Sequence, residues 1–358
     1  MKKTFTLFSG IFLVMALSNA IVPVLPAYSG SSSLQGAIYA AYFLGAFLST
    51  LPAGMLSDRF GQIPLIRAGL IITVASGMLL SLTVSPYLVM VLRFIEGIAA
   101  GCFVASAMSS INSRADHEKM SGYYMALLNA GLVTGLLLAG WLASHSGDPA
   151  MGIQLFAVLT LIPAIMSLFM RDTGYRAAPF SPDMFLSLVK RYRRLWFSSI
   201  ILIGITGVIS SLYPQFSGAS SDSLGYWMAG MSIATIGAVL VASRASLPPV
   251  PAVRWSAVLM AAGVFLAFFS PWGFAVLGAL AGIVMIAQMA ILAKEQEHQG
   301  VVMGLFSTTS YLGMAILPFF AGIFTDMAGF FLAFTLTAFS ALLVALIMRR
   351  DPVPGRAL

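Results

Sequence analysis

Residues 34–82 run LQGAIYAAYFLGAFLSTLPAGMLSDRFGQIPLIRAGLIITVASGMLLSL. Two apolar runs, 34–56 and 64–82, flank a short turn that carries Asp58 and Arg59. A helix crosses a bilayer with roughly 20 predominantly apolar residues. Each run is long enough to do so, and the charged turn between them must then sit at a membrane surface. The stretch reads as a pair of spanning helices, and the rest of the chain can be judged by whether it repeats the pattern.

It does. Apolar runs broken at charged or Gly-, Pro- and Ser-rich turns also fall at 5–28, 87–110, 120–143 and 152–170, completing six spans. After a charged interval, 195–216, 223–242, 254–270, 272–292, 301–324 and 329–348 make six more. Only Ser270-Pro271-Trp272 separates spans 9 and 10, so a single re-entrant hairpin stays open there. The chain is 59% hydrophobic and 9% charged, where a soluble chain carries roughly 25% charged residues. Twelve spans in 358 residues leave no room for a sizeable soluble domain. Lys2 and Lys3 before an apolar run imitate a secretory signal, but the run continues without a clear cleavage site and reads as span 1. The lone cysteine, Cys102, lies inside a span and can build neither a disulfide framework nor a thiolate metal site. His117, His145 and His298 lie in or beside loops without metal-ligand spacing, so neither metal nor cofactor is expected.

The net charge of +7 does not indicate nucleic acid, because the basic residues are scattered between spans. Twelve spans place successive connections on alternate sides. Arg59, Arg67, Arg114, Lys119, Lys190, Arg191, Arg193, Arg194, Arg244, Arg254 and Lys294 then share one side with both chain ends. The opposite connections carry Asp148, Asp222, Asp326 and His145 without a Lys or Arg. The positive-inside rule makes the basic side cytoplasmic and predicts a multi-pass protein of the cell (inner) membrane with both termini cytoplasmic. The polar interval 171–194 divides the chain into an N-terminal bundle, 1–170, and a C-terminal bundle, 195–358. Within it, Ser181, Pro182 and Asp183 suit a helix start, and Lys190, Arg191, Arg193 and Arg194 would face lipid phosphates, so a cytoplasmic surface helix is predicted. Gly122, Gly131, Ala139, Gly140 and Gly147 recur 182 positions later as Gly304, Gly313, Ala321, Gly322 and Gly329, as two related halves would leave behind. A shorter echo joins AGMLSDRFG at 53–61 to AGWLASHSG at 139–147 and AGIFTDMAG at 321–329, the trace of inverted three-helix units.

Gly54-Met55-Leu56-Ser57-Asp58-Arg59-Phe60-Gly61, in the turn between spans 2 and 3, resembles the signature of the major facilitator superfamily, G-x-L-[AS]-D-R-x-G-R-[KR]. Gln62 and Ile63 replace its final basic pair, which removes cytoplasmic contacts. Three further stretches are similar to elements of the family's drug:proton antiporter branch. Pro23-Val24-Leu25-Pro26 matches P-V-x-P, and Arg93-Phe94-Ile95-Glu96-Gly97 matches R-x-x-Q-G with Glu96 for Gln. Gly122, Gly131 and Gly135, followed by Ala139-Gly140, resemble the antiporter motif of span 5, with Leu136 where Pro is usual. The resemblance implies an all-α integral membrane protein whose twelve transmembrane helices form two pseudo-symmetric six-helix bundles, the major facilitator fold. It also makes Gly54, Asp58, Arg59 and Gly61 a gating motif, and Gly122, Gly131 and Gly135 a flexible hinge or a tight packing surface.

Arg93 and Glu96 are the charged residues that hydropathy places well inside the membrane. Holding Arg at mid-depth costs roughly 2.5 to 3.5 kcal/mol or more. Three residues apart, the two share a helix face and can lower each other's burial cost. Glu96 is the expected proton-coupling site and Arg93 its modulator, against a static ion pair that orders helices. Asn19, Gln215 and Gln288 lie on helices that face the central cavity in the family this resembles, so they are candidate substrate contacts, with interhelical hydrogen bonds as the competing role. Tyr39, Tyr42, Tyr226 and Trp227 could stack on an aromatic substrate or anchor at the membrane surface.

The spans hold no cluster of acid, base and nucleophile, so an enzyme is not expected. The reading is a monomeric secondary transporter in the lipid bilayer, moving a small-molecule substrate by alternating access through proton-coupled export of largely apolar compounds. Uptake of an organic anion or metabolite, with Arg93 as its partner, stays open. So does a non-transporting membrane sensor or assembly factor on the same fold.

Overall fold

The structure, a computed structural model, describes residues 2–112, 114, 116–171, 182–245, 247–293, 295 and 299–348. Ser181 with its expected cap, Arg176, Lys294, His298, Arg349, Arg350 and Arg356 lie outside the described residues. The described chain is helical: α1 (Lys2–Ala20), α2 (Ser32–Phe60), α3 (Gln62–Ser81), α4 (Pro86–Asn112), α5 (His117–Ser146) and α6 (Met151–Leu168) are spans 1 to 6. The predicted surface helix is α7 (Pro182–Arg191), with Asp183 in its first turn and Lys190 and Arg191 in its last. Spans 7 to 10 are α8 (Arg193–Ser217), α9 (Ser221–Ala242), α10 (Pro249–Phe269) and α11 (Trp272–Leu292).

The last helix, α12 (Gln299–Ile347), holds both remaining spans. Its 47-residue apolar stretch would reach about 70 Å at roughly 1.5 Å per residue, more than twice a bilayer core of about 30 Å. Ala328 (φ −146°) and Gly329 (φ +83°) leave helical geometry and divide it into two spans. Positive φ is open to glycine at little cost.

One boundary differs from expectation. Span 1 ends as an α-helix at Ala20, and Val22–Tyr28 forms a 3₁₀ turn holding the whole Pro23-Val24-Leu25-Pro26 element. Pro26 has no N–H to continue an α-helical ladder, and a ring three residues after Pro23 fits a helix of about three residues per turn. Between spans 9 and 10, extended Ser270 (φ −156°, ψ 139°) and then Pro271 end one helix and begin another, so the two expected spans are separate full helices and no re-entrant hairpin forms there.

The chain forms two compact units. The first comprises 1–30, 37–179 and 217–229; the second comprises 31–36, 180–216 and 230–358. Each thus holds a short segment from the other half of the sequence. In the first, α1 packs on α5 and α6, and α3 on α4 and α6, around Leu7, Ile11, Leu70, Phe103 and Tyr124. In the second, α10 packs on α11 and α12, and Val208, Leu212, Ala321 and Ala333 form a core. Large apolar side chains such as Leu48, Ile72, Leu79, Ile165, Leu259 and Phe339 are exposed along the spans, as a lipid-facing surface requires.

Arg67 donates to the carbonyls of Ser167, Leu168 and Met170 and so satisfies the end of α6, where carbonyls lack helical partners. Arg191 reaches Glu295 at 2.9 Å, and Tyr192 donates to the same carboxylate, tying the end of α7 to the loop before α12. The partner of Arg191 is thus a carboxylate of the protein itself.

Candidate functional site

Arg93 and Glu96 sit one turn apart on α4, and the Arg93 Nη1 lies 2.8 Å from the Glu96 Oε2. Their residues are 1% and 2% exposed. The guanidinium carbon stands 4.4 Å from the centre of the Tyr42 ring on α2, a cation–π contact that helps hold a charge away from water. Gly97 continues the site: a methyl group there would overlap the Tyr42 carbonyl oxygen, so α2 and α4 touch backbone to backbone beside the pair. The Arg93 Nε and the Glu96 Oε1 are buried without a hydrogen-bond partner. Leaving a buried polar group unpaired costs about 1 to 3 kcal/mol, and more when it is charged. Glu96 Oε1 is therefore a buried acceptor with an open lone pair.

The signature turn shows why its departures matter. α2 runs straight through the motif to Phe60, and Gly61 turns the chain at φ +96° into α3. Gln62, where the family has a basic residue, is buried and donates from Nε2 to the Ser109 Oγ of α4 at 3.1 Å. This side chain fastens the turn inward. Arg59 is exposed against the Phe60 ring, no atom lies near a Cβ added at Gly54, and the side chain of Asp58 lies outside the described residues.

The glycines of α5 separate. Methyl groups at Gly131 and Gly135 would overlap the carbonyl oxygens of Phe12 and Ala16, so these two, one turn apart, let α5 meet α1 backbone to backbone. Gly122 has open space around it. The second unit repeats the contact: Gly313, 182 positions after Gly131, meets the Ile200 carbonyl of α8.

The three amide candidates all have protein partners. Asn19 donates from α1 to the Leu132 carbonyl of α5 at 3.4 Å, and Gln288 donates from α11 to the Ser198 hydroxyl of α8 at 2.9 Å. Gln215 Oε1 accepts the Ser32 hydroxyl. Gln288 Oε1 stays unpartnered. Tyr39 and Tyr42 are buried, whereas Tyr226 is exposed. The sequence reading missed two groups: Tyr42 as the cover of Arg93, and fully buried Gln35 of α2, whose amide oxygen and nitrogen are both unpartnered. Gln35 could have been noticed as an amide inside an apolar run. Nothing in the sequence joins Tyr42 to Arg93.

Counting α12 as two, the described residues form twelve helices long and apolar enough to cross a bilayer, which makes this a polytopic membrane protein. The model of the Major Facilitator Superfamily matches residues 7–247, and the chain belongs to that family. It is 25% identical over 249 residues to the quinolone resistance protein NorA of Staphylococcus aureus (strain MSSA476), a match covering 66% of this chain and 63% of that protein. It is 26% identical over 234 residues to an uncharacterized MFS-type transporter of Enterobacter sp. (strain 638), covering 63% and 60% of the two chains. The chain thus matches less than two thirds of the length of either relative. A mutant of the nucleoside transporter NupG superposes with a TM-score of 0.76 at 16% identity, covering 97% of this chain and 98% of that one. A D-xylose-proton symporter gives 0.75 at 15%, covering 98% and 97%. At such identities the likeness is one of fold.

Proposed function

We propose that this chain is a secondary transporter, not an enzyme, that exports small, largely apolar compounds in exchange for protons. The observation that carries the reading is the buried Arg93–Glu96 pair with one carboxylate oxygen left unpartnered. A proton on Oε1 turns Glu96 neutral, weakens its hold on Arg93 and leaves that cation without its counter-charge, which favours a conformation where water or cargo reaches it. Both groups are buried away from water, so protons reach them in another conformation. Alternating access supplies it, the halves 1–170 and 195–358 rocking about the membrane midplane with both termini cytoplasmic. The similarity to a quinolone resistance protein and the antiporter-like elements of α1, α4 and α5 support export of an apolar cargo.

A second reading rests on Arg93 Nε, which is also unpartnered: a carboxylate or phosphate of an imported metabolite would satisfy it. Proteoliposomes with an imposed pH gradient and a panel of lipophilic cations, neutral drugs and organic anions decide between them. Under the export reading cations or neutral drugs move with the gradient, Glu96→Gln abolishes the gradient's effect while leaving the protein folded, and anions stay put. Gradient-driven movement undiminished in Glu96→Gln overturns the proton role. Movement of anions alone, lost in Arg93→Ala, replaces export by uptake.

A further inference from the structure

The connections without Lys or Arg carry two contacts that the transport cycle described above leaves unexplained. At the start of α2, the backbone N–H groups of Ser32 and Ser33 donate to the Asp326 carboxylate, at 3.0 Å to Oδ1 and 2.9 Å to Oδ2. These are two of the donors that a helix start leaves without intrahelical partners, and the carboxylate also meets the positive end of the helix dipole. At the start of α9, the Asp222 N–H donates to the Ser144 hydroxyl at 3.0 Å, and that hydroxyl donates back to Asp222 Oδ1 at 3.1 Å.

The two contacts share a register. Asp326 stands 182 positions after Ser144, the interval that relates the glycines of the two halves. The helices also cross alike. A methyl group at Gly322 would crowd the Ser32 carbonyl oxygen, and one at Gly140, 182 positions earlier, would overlap the Ser221 carbonyl oxygen. In each case the terminal turns of one helix lie against the backbone of another, and a polar group one turn further along fastens the crossing. The charge has changed places: it sits on the crossing helix at Asp326 and on the fastened helix at Asp222.

The Asp326 contact reaches further. Ser32, fixed through its N–H, gives its hydroxyl to Gln215 Oε1. Gln35 lies three residues on, on the same side of α2, fully buried and with both amide atoms unpartnered. The fastened start of α2 thus engages the Gln215 amide oxygen, and the Gln35 amide is buried one turn along.

We propose that Asp326 and Ser144 are positioning residues that hold the two helix starts closed at the extracellular face, and that releasing Asp326 frees Gln215 and uncovers Gln35 for cargo. The assignment of that face rests on the membrane orientation proposed above; the fastening itself does not. Neither residue touches cargo. Asp326 is the stronger of the two, because an ionised carboxylate on two backbone donors outweighs a neutral hydroxyl.

The test uses the full chain with Cys102→Ala and a single reporter, Gln35→Cys, purified into lipid nanodiscs where both faces are wet. The rate of labelling by a fluorescein maleimide reads how often the start of α2 lifts. Asp326→Ala should raise it about fivefold, the size of a lost helix cap and its charge, and Ser144→Ala about twofold. Asp326→Asn, which keeps the side chain's size and one acceptor oxygen, should fall between parent and Asp326→Ala, and it serves where the alanine variant does not fold. A rate in Asp326→Asn and Asp326→Ala equal to the parent's overturns the proposal. Labelling of Gly30→Cys by a membrane-impermeant maleimide on intact cells tests the orientation separately. Failure there reverses the face being closed, and the nanodisc rates still decide whether the fastening holds.

Discussion

At the residue scale the energetics of the ion pair decide what substitutions do. Removing one member of a buried pair leaves an uncompensated charge and costs about 3 to 5 kcal/mol, whereas removing both costs much less. Glu96→Ala should therefore lower the thermal unfolding midpoint more than the Arg93→Ala, Glu96→Ala double variant does, and an additive result in that cycle would show that the groups do not act as a pair. Tyr42→Leu, which removes the ring over Arg93, should cost roughly 0.5 to 2 kcal/mol beyond the Tyr42→Phe variant, measured the same way. A pH effect belongs to the surface between α4 and α5. There Arg114 hydrogen-bonds Asp116 at 2.8 Å, reaches the Thr4 hydroxyl at 3.1 Å, and holds the Asp116 carboxyl below its usual range. A lowered carboxyl favours this arrangement above the ordinary Asp range and releases it as pH falls through the lowered value. Amide protection in the first turn of α5, corrected for the intrinsic pH dependence of exchange, should fall in acid in the wild type and be already low, and unchanged with pH across that range, in Arg114→Ala.

At the scale of elements, the three glycines of the α5 motif should behave differently although the sequence presents them alike. Gly131→Val drives a branched side chain into the Phe12 carbonyl, and overpacking of this kind costs about 1 to 3 kcal/mol or forces α1 and α5 apart. Gly122→Ala meets nothing and exchanges a poor helix former for the best one, a gain of up to about 1 kcal/mol. Thermal unfolding of the two variants in one detergent checks the contrast, and equal losses would contradict the packing. The glycine pattern was legible as a motif because the spacing is in the sequence. Its division into contact and open positions was not, because that depends on where the carbonyls of another helix fall. The same holds for Gln62, which reads as a lost basic residue and turns out to be a buried tie to Ser109.

At the scale of the whole molecule, hydropathy and charge located the spans well because both are local and repeat along the chain. The departure came where local signals compete, at a proline pair that converts the end of span 1 to a 3₁₀ turn, whereas the break at Ala328 and Gly329 falls where hydropathy separates spans 11 and 12. Pairings remote in sequence, such as Ser32 with Asp326, had no local signature. The charge asymmetry makes its own prediction. Single cysteines at Thr83 and Ser270 should react with an impermeant reagent on intact cells, and one at Ser243 only after permeabilisation; the opposite result would invert the protein in the membrane. The backbone crossings carry a longer consequence. Where glycine presses on a carbonyl oxygen, the partner helix contributes an atom that every amino acid possesses. Its side chains can drift through generations without disturbing the joint, so the ancestry of such a fold outlasts its spelling.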